Sequence, residues 1–246
     1  MKDLTQGSTT KIILAMAIPV AAGMIFQTLY LLVDLYFVAA LGEDSVAGVG
    51  TAGTLLFMIM ALTQVLGVSA VAMISQAVGK KDQQQANLVF NQSLVLSGIC
   101  ALITVLGGYL FAEPYLSNIA ADEGSLREGL TFLYWFLPGM ALQFAMMAMA
   151  SSLRATGIVK PAMLIQVITV VLNTILAPIL IAGWGPGPAL GVMGAGLAST
   201  ISIAVGVVLL TLYFIKLEKY VSFETKLWKP RFDIWWRRVD IGLPAG

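Results

Sequence analysis

Long stretches without a charged side chain dominate this sequence and decide what kind of fold it can adopt. Each is at least as long as the roughly 20 residues that an α-helix needs to cross the hydrocarbon core of a bilayer. A run of glycine and proline at 183–188 divides the longest stretch into two. The sequence therefore predicts an all-α integral membrane protein with six transmembrane helices. Their expected bounds are about 12–40, 46–77, 88–112, 129–153, 161–183 and 194–215.

The positive charges alternate between the predicted loops and indicate an orientation. Thirteen of the 14 Lys and Arg residues fall on one side of six spans, and Arg127 is the exception. The acidic residues Glu43, Asp44, Glu113, Asp122, Glu123 and Glu128 fall on the opposite side. Because loops rich in Lys and Arg stay in the cytoplasm, we expect a multi-pass protein of the cytoplasmic membrane. Its amino terminus and the segment after the sixth span are expected to be cytoplasmic.

The segment 216–240 is polar and aromatic, with three tryptophans among Lys and Arg residues. Such residues concentrate at bilayer interfaces, so we interpret it as a cytoplasmic amphipathic connector whose indole rings lie at the lipid headgroups. A new apolar run begins at 241–246 and resembles 17–23 in sequence. We therefore expect 1–215 to form one six-helix lobe, and 241–246 to be the start of a truncated second lobe related to it by parallel duplication.

Asp34 is the one charged side chain inside any of the long apolar runs. A carboxylate in hydrocarbon is costly and marks a candidate functional site. The predicted spans contain no Lys or Arg to pair with it, so the acid is expected to be protonated, to bind a mobile cation or to cap a polar cluster. Gln27 and Tyr30 lie on the same helical face, and Tyr30 is within hydrogen-bonding reach of the carboxyl. Desolvation disfavours a charged acid, which suits a site that loads and releases a proton.

The fifth predicted helix carries Gln166, Thr169 and Asn173 on one face. Pro178 removes the backbone donor to the carbonyl of Thr174, close to Asn173, and bent helices use such carbonyls to coordinate ions. We therefore assign Asn173 to the ion-coupling site, whereas polar packing between helices explains Gln166 and Thr169.

The sixth predicted helix opens with closely spaced small residues at 191–199. Small residues let helix backbones approach closely, so packing is the expected role of this stretch, and Ser199 is placed to reach the ion-coupling site. Four polar side chains are candidates for a substrate path through the lobe. They are Gln27, Gln64, Gln143 and Thr169.

Several classes of site lack the residues to build them. The chain has no His and one Cys, which argues against most metal sites, a Ser-His-Asp triad and an internal disulfide. It has no P-loop for a nucleotide, and its net charge of +1 gives no indication of nucleic-acid binding. We therefore expect no catalytic residues, no metal, no cofactor and no enzymatic activity, and we expect any transport to use an ion gradient.

Short motifs in order along all six helices resemble those of the multidrug and toxic compound extrusion (MATE) transporters. The motifs are Ile18-Pro19, Gln27-Thr28-Leu29-Tyr30, Val33-Asp34, Leu41-Gly42, Gln76-x-x-Gly79, Arg154-Ala155-Thr156-Gly157, Lys160-Pro161, Asn173-x-x-x-Ala177-Pro178 and Gly191-x-x-Gly194-Ala195. The resemblance implies a twelve-helix, two-lobe transporter with a V-shaped central cavity, of which this chain is the amino-terminal lobe. It implies that such a protein exports organic cations and drugs against an inward flow of protons or sodium ions.

The resemblance also implies roles for individual residues. The acid and tyrosine of the family's first helix correspond to Asp34 and Tyr30, its asparagine to Asn173 and its hydroxyl residue to Ser199. Many members carry Asp or Asn where this chain has Ala177. That substitution removes an oxygen ligand for sodium and favours a proton as the coupling ion.

The leading hypothesis is a cation-coupled antiporter that exports organic cations or drugs across the cytoplasmic membrane. Its partners are those small molecules, the bilayer and the missing carboxy-terminal lobe, and H⁺ or Na⁺ is the coupling ion. The alternative is a flippase for lipid-linked oligosaccharides or similar precursors, of the same superfamily. A pyrophosphate substrate would call for Arg or Lys in the spans, which this sequence lacks. An integral-membrane enzyme and a non-transporting assembly module are further alternatives.

Overall fold

The computed structural model describes residues 17–18, 21, 25, 28–29, 32–184, 187–218 and 220–243. All regular elements in this part of the chain are helices. The first helix, α1, is described continuously at 32–39. The elements that follow are α2 (Glu43–Gly79), α3 (Gln83–Leu116), α4 (Glu123–Ala155), α5 (Val159–Ala182), α6 (Val192–Lys216), a short 3₁₀ helix (Thr225–Leu227) and α7 (Phe232–Gly242).

Helices α2 to α6 all begin earlier than the expected spans, and the difference is largest for α3 and α4. The spans were expected to start at about 88 and 129, whereas the helices themselves begin at Gln83 for α3 and at Glu123 for α4. The carboxylate of Asp82 accepts a hydrogen bond from a backbone N–H of the first turn of α3 at 2.9 Å, and Asp122 does the same for α4 at 2.7 Å. These caps satisfy otherwise unpaired donors and let polar residues continue the helix beyond its apolar part.

The predicted break between the fifth and sixth spans is confirmed. Helix α5 ends at Ala182, and Gly183 follows with φ 70°, a left-handed conformation that favours glycine at the end of a helix. Pro178 lies inside α5, which continues through it for another turn.

Five of the described helices, α2 to α6, are long and apolar enough to cross a bilayer. About half of the predicted span 12–40 falls outside the described residues, and 32–39 within it are helical. Helix α4 lies centrally and contacts α2, α3, α5 and α6. The chain is therefore an all-α, multi-pass membrane protein, as the hydropathy predicted.

Glycines allow the helices to approach closely. A Cβ on Gly48 of α2 would come within 2.6 Å of the backbone nitrogen of Gly129 on α4. A Cβ on Gly194 would overlap the carbonyl of Leu180, where α6 crosses α5. Gly194 is therefore packed against α5, and Gly196 is packed against Phe132 of α4, which confirms the predicted packing role of this stretch.

Buried apolar side chains form two clusters, one towards each end of the helices. The cluster next to the connector includes Phe90 and Phe214, whose rings stack with centroids 4.9 Å apart. The opposite cluster includes Val38, Leu133 and Ile181, and it receives side chains from α1 and α6. The second cluster holds α1 against the rest of the lobe.

The connector packs on the lobe, and two of its three tryptophans are hydrogen-bonded to α3. The indole N–H of Trp228 donates to Asn91 and that of Trp235 donates to Gln92, each at 3.0 Å. The rings of Trp228 and Trp236 remain exposed, so a position at the lipid headgroups stays a prediction for them. An indole N–H that leaves water needs an acceptor, and the buried amides of α3 supply one to each ring.

Candidate ion-coupling site between α1, α5 and α6

Asp34 of α1, Asn173 of α5 and Ser199 of α6 meet in a chain of hydrogen bonds. The hydroxyl of Ser199 donates to Oδ2 of Asp34 at 3.1 Å, and the amide Nδ2 of Asn173 donates to Oγ of Ser199 at 3.3 Å. Asn173 and Ser199 are fully buried. Three of the four residues predicted for ion coupling are therefore brought together, although they are far apart in sequence.

Two buried oxygens of this group have no donor among the described residues. They are Oδ1 of Asp34 and Oδ1 of Asn173. An unpaired acceptor that has left water costs free energy, and an ionised carboxylate costs more than a neutral amide. A proton or a small cation bound at these oxygens would relieve that cost, so the arrangement suits a cation-binding site.

Packing on both sides of Asp34 fixes the position of α1. Val33 and Phe37 pack against the second apolar cluster, in which Val38 is buried. The ring of Phe37 also meets Trp184, just after α5, edge to face with centroids 5.9 Å apart. These contacts hold the carboxyl of Asp34 towards α5 and α6.

The residue one turn after Asn173 on the same face of α5 is Ala177, which is fully buried in the second apolar cluster. Its side chain is a methyl group and offers no oxygen. The described part of the site therefore contains one carboxyl group.

The other predicted residues have different surroundings. Tyr30 and Gln27 lie outside the described residues. Thr169 is buried, donates to the carbonyl of Gln166 in its own helix at 2.7 Å, and lies where a Cβ on Gly206 of α6 would overlap it. Its observed contacts are thus those of helix packing.

Gln64 and Gln143 were also predicted for the substrate path. Gln64 is exposed on the surface of the described lobe, and Gln143 is half-buried. Neither is hydrogen-bonded to Asp34, Asn173 or Ser199. Their predicted role therefore stays a prediction.

Sequence reasoning missed one buried cation. Arg238 of α7 was counted among the cytoplasmic charges, but it is fully buried against α2. Its Nη2 donates to the carbonyl of Leu66 at 2.7 Å, and its Nε to the hydroxyl of Ser69 at 3.3 Å. Ile234, Arg238 and Gly242 recur every four residues and are all buried, so the helical period of α7 was the signal that could have revealed it.

Comparison with known proteins gives consistent matches. The MatE family model matches residues 19–179. Multidrug export protein MepA of Staphylococcus aureus (strain MRSA252) is 30% identical over 241 residues, which are 96% of this chain and 51% of that protein. The FAD transporter of Shewanella oneidensis is 26% identical over 205 residues, which are 82% of this chain and 45% of that protein.

A solved structure agrees with the sequence matches. It is a MOP superfamily transporter from Pyrococcus furiosus, for which a reverse polarity of the binding pocket is described as suggesting a different function. It is 29% identical, with a TM-score of 0.89 over 98% of this chain and 53% of that chain. The chain thus spans about half the length of the relatives it matches. Because the family model covers well over half of the residues, the predicted membership is confirmed, and the chain belongs to the MatE family of membrane transporters.

Proposed function

We propose that the complete transporter is a cation-coupled antiporter that exports organic cations or drugs, with Asp34 as its coupling acid. The observation that carries this proposal is the buried Oδ1 of Asp34, which has no donor among the described residues and is linked through Ser199 to Asn173. The similarity to a multidrug export protein supports the substrate class. Tyr30, four positions before Asp34 in the sequence, is proposed as a further member of the site.

The coupling follows from what a cation does to this network. Without a cation, the carboxylate of Asp34 has the Ser199 hydroxyl as its donor. Protonation at Oδ1 turns an unpaired acceptor into a donor, and Oδ1 of Asn173 is a buried acceptor in the same group. The two states of Asp34 therefore favour different contacts of α1 with α5 and α6, and a cation that binds one state better shifts the population of conformations.

We propose the proton as the coupling ion and sodium as the alternative. A proton needs only the carboxyl group, whereas a sodium ion needs several oxygens. Ala177 leaves the position one turn after Asn173 without an oxygen. The oxygens available from the described residues are those of Asp34, Asn173 and Ser199.

We also propose that the connector and the amino terminus are cytoplasmic and that the protein lies in the cytoplasmic membrane. The support is the distribution of Lys and Arg, with Arg127 as the single exception on the opposite side. A flippase for lipid-linked precursors is less well supported, because the Lys and Arg residues of α2 to α6 lie in the terminal turns of these helices.

The test uses everted membrane vesicles that contain the complete transporter. Export of a fluorescent organic cation is measured as its accumulation inside these vesicles and is called efflux below. Asp34→Asn keeps the side-chain shape but cannot exchange a proton, so we expect the efflux driven by a pH gradient to fall to background at unchanged expression. The matched control is Glu43→Gln, an exposed acid in the first turn of α2, which should export normally. Normal gradient-driven efflux by Asp34→Asn would refute the assignment.

A second measurement separates the two ions. Efflux is compared with a pH gradient in sodium-free buffer and with a sodium gradient in vesicles whose pH gradient is collapsed by an ionophore. The proton proposal expects efflux in the first condition only. Efflux in the second condition alone would make sodium the coupling ion and leave the role of Asp34 intact.

A further inference from the structure

Three amide side chains near the start of α3 hold the connector. They are Asn87, Asn91 and Gln92, and all three are buried. We call these residues, together with connector residues 220–235, the connector clamp. The partners in the clamp lie more than 130 positions apart in the chain, so the contact belongs to the tertiary fold.

Gln92 uses its whole amide group in the clamp. Its Oε1 accepts from the backbone N–H of Arg231 and the indole N–H of Trp235, each at 3.0 Å. Its Nε2 donates to the carbonyls of Leu227 and Lys229, at 2.6 and 2.8 Å. A fully buried glutamine with all four of these bonds directed to the connector is satisfied only while the connector is docked.

Asn91 and Asn87 extend the contact. Oδ1 of Asn91 accepts from the backbone N–H of Glu224 at 2.9 Å, and its Nδ2 donates to the carbonyl of Ser222 at 2.9 Å. Oδ1 of Asn87 accepts from the backbone N–H of Ser222 at 2.8 Å, and its Nδ2 donates to Glu224. Undocking would break these bonds to the connector and leave Nδ2 of Asn91 with only its bonds to Asn87 in the same helix.

A second anchor holds the far end of the connector on α2. Arg238 donates to the carbonyl of Leu66 and the hydroxyl of Ser69, and it is fully buried. One turn later, a Cβ on Gly242 would overlap the carbonyl of Val65, which shows how closely α7 lies on α2. The connector is therefore fixed to two helices along most of its length.

We propose that the connector stays docked through the whole transport cycle as a rigid part of the six-helix lobe. The motion that alternates access then pivots outside residues 220–242, and the connector transmits the rotation of this lobe directly to the rest of the transporter. The inference rests on the proposed function insofar as it concerns a transport cycle. The docking itself depends only on the contacts above.

Hydrogen–deuterium exchange rates of backbone amides in the complete transporter show directly whether the connector is docked. The probes are the amides of Ser222, Glu224 and Arg231, which donate to Asn87, Asn91 and Gln92. Exchange is compared between the native protein and Asp34→Asn, which imitates the neutral acid. We expect rates within twofold of each other in the two proteins, and acceleration of the three amides by tenfold or more in Asp34→Asn would overturn the proposal.

A variant pair calibrates the readout. Gln92→Leu should accelerate exchange at Arg231 more than tenfold, because that N–H loses its acceptor. Gln84→Leu, which changes an exposed glutamine of the same helix, should leave exchange at Arg231 unchanged. Unchanged exchange at Arg231 in Gln92→Leu would show that this contact does not hold the connector and would overturn the clamp itself.

A covalent lock tests the transport cycle. Asn87→Cys and Glu224→Cys replace two side chains that touch, in a background where Cys100 is changed to Ala. Export by the same protein is measured after oxidation and after reduction. At least half of the reduced rate in the oxidised form supports permanent docking, and a tenfold loss that reductant reverses would overturn it. Since exchange is measured without transport, failure of the antiport proposal would leave the docking result interpretable.

Discussion

Removing the hydroxyl of Ser199 should destabilise the lobe through two buried partners at once. Ser199→Ala deletes the donor to Asp34 and the acceptor from Asn173, in a position with no exposure to solvent. A hydrogen bond to a charged group contributes about 1.5–3 kcal/mol and one between neutral groups about 1 kcal/mol. The expected loss in the free energy of unfolding is therefore about 2.5–4 kcal/mol if the acid is ionised, and about 2 kcal/mol if it is protonated.

The matched control lies one turn further along the same helix. Ser202 is also fully buried, but its hydroxyl donates to the carbonyl of Ala198 in its own helix at 2.8 Å. Ser202→Ala leaves no other side chain unpaired, so we expect a loss of less than about 0.5 kcal/mol. Unfolding in mixed detergent micelles, followed by tryptophan fluorescence, gives both values under the same conditions.

A double-mutant cycle then isolates the contact between Ser199 and Asp34. If the hydroxyl supports the carboxyl, Ser199→Ala in the Asp34→Asn background should cost at least about 1 kcal/mol less than in the native background, the size expected for side chains in contact. Equal losses for Ser199→Ala and Ser202→Ala, together with an additive cycle, would refute the reasoning that links the three side chains.

Three further predictions concern helix packing, the buried cation and the choice of ion. Gly48→Ala should force α2 away from α4 and so lower the folded fraction measured by fluorescence-detected size exclusion. Gly53→Ala is the control, because there is open space around Gly53. Equal folded fractions for the two variants would contradict the close approach of the helices. Arg238→Ala should destabilise the protein by about 3 kcal/mol or more through lost packing and unpaired partners, while Arg237→Ala, at the exposed neighbour, should change stability by less than about 0.5 kcal/mol. Ala177→Asp should add an oxygen ligand and make export depend on the sodium gradient, measured on protein that still elutes as a folded species. Export that does not change with sodium would count against the ligand argument.

Part of the candidate site could be predicted from the sequence. The free energy needed to place a charge in hydrocarbon depends on the residue and its own helix, and not on its partners in the fold. Asp34 could be singled out without any knowledge of its neighbours, since its own helix has to carry it into the membrane. Asn173 was marked by its helical face and by the family resemblance. The same local property, hydropathy, located five of the spans that the structure describes, and it placed their ends less well where Asp82 and Asp122 cap the helices.

The sequence by itself thus determined the class of fold, and it singled out Asp34 as the charged residue within a long apolar run. Only the tertiary structure decided that Ser199, 165 positions away, donates to that acid. The tertiary structure also decided that Trp235 and Arg238 face the protein. The sequence could not show this, because an amphipathic segment of aromatic and basic residues can pack against a bilayer interface or against buried amides. The physical reason is that solvation depends on each residue and its helix, whereas a hydrogen-bond partner exists only once the helices have packed.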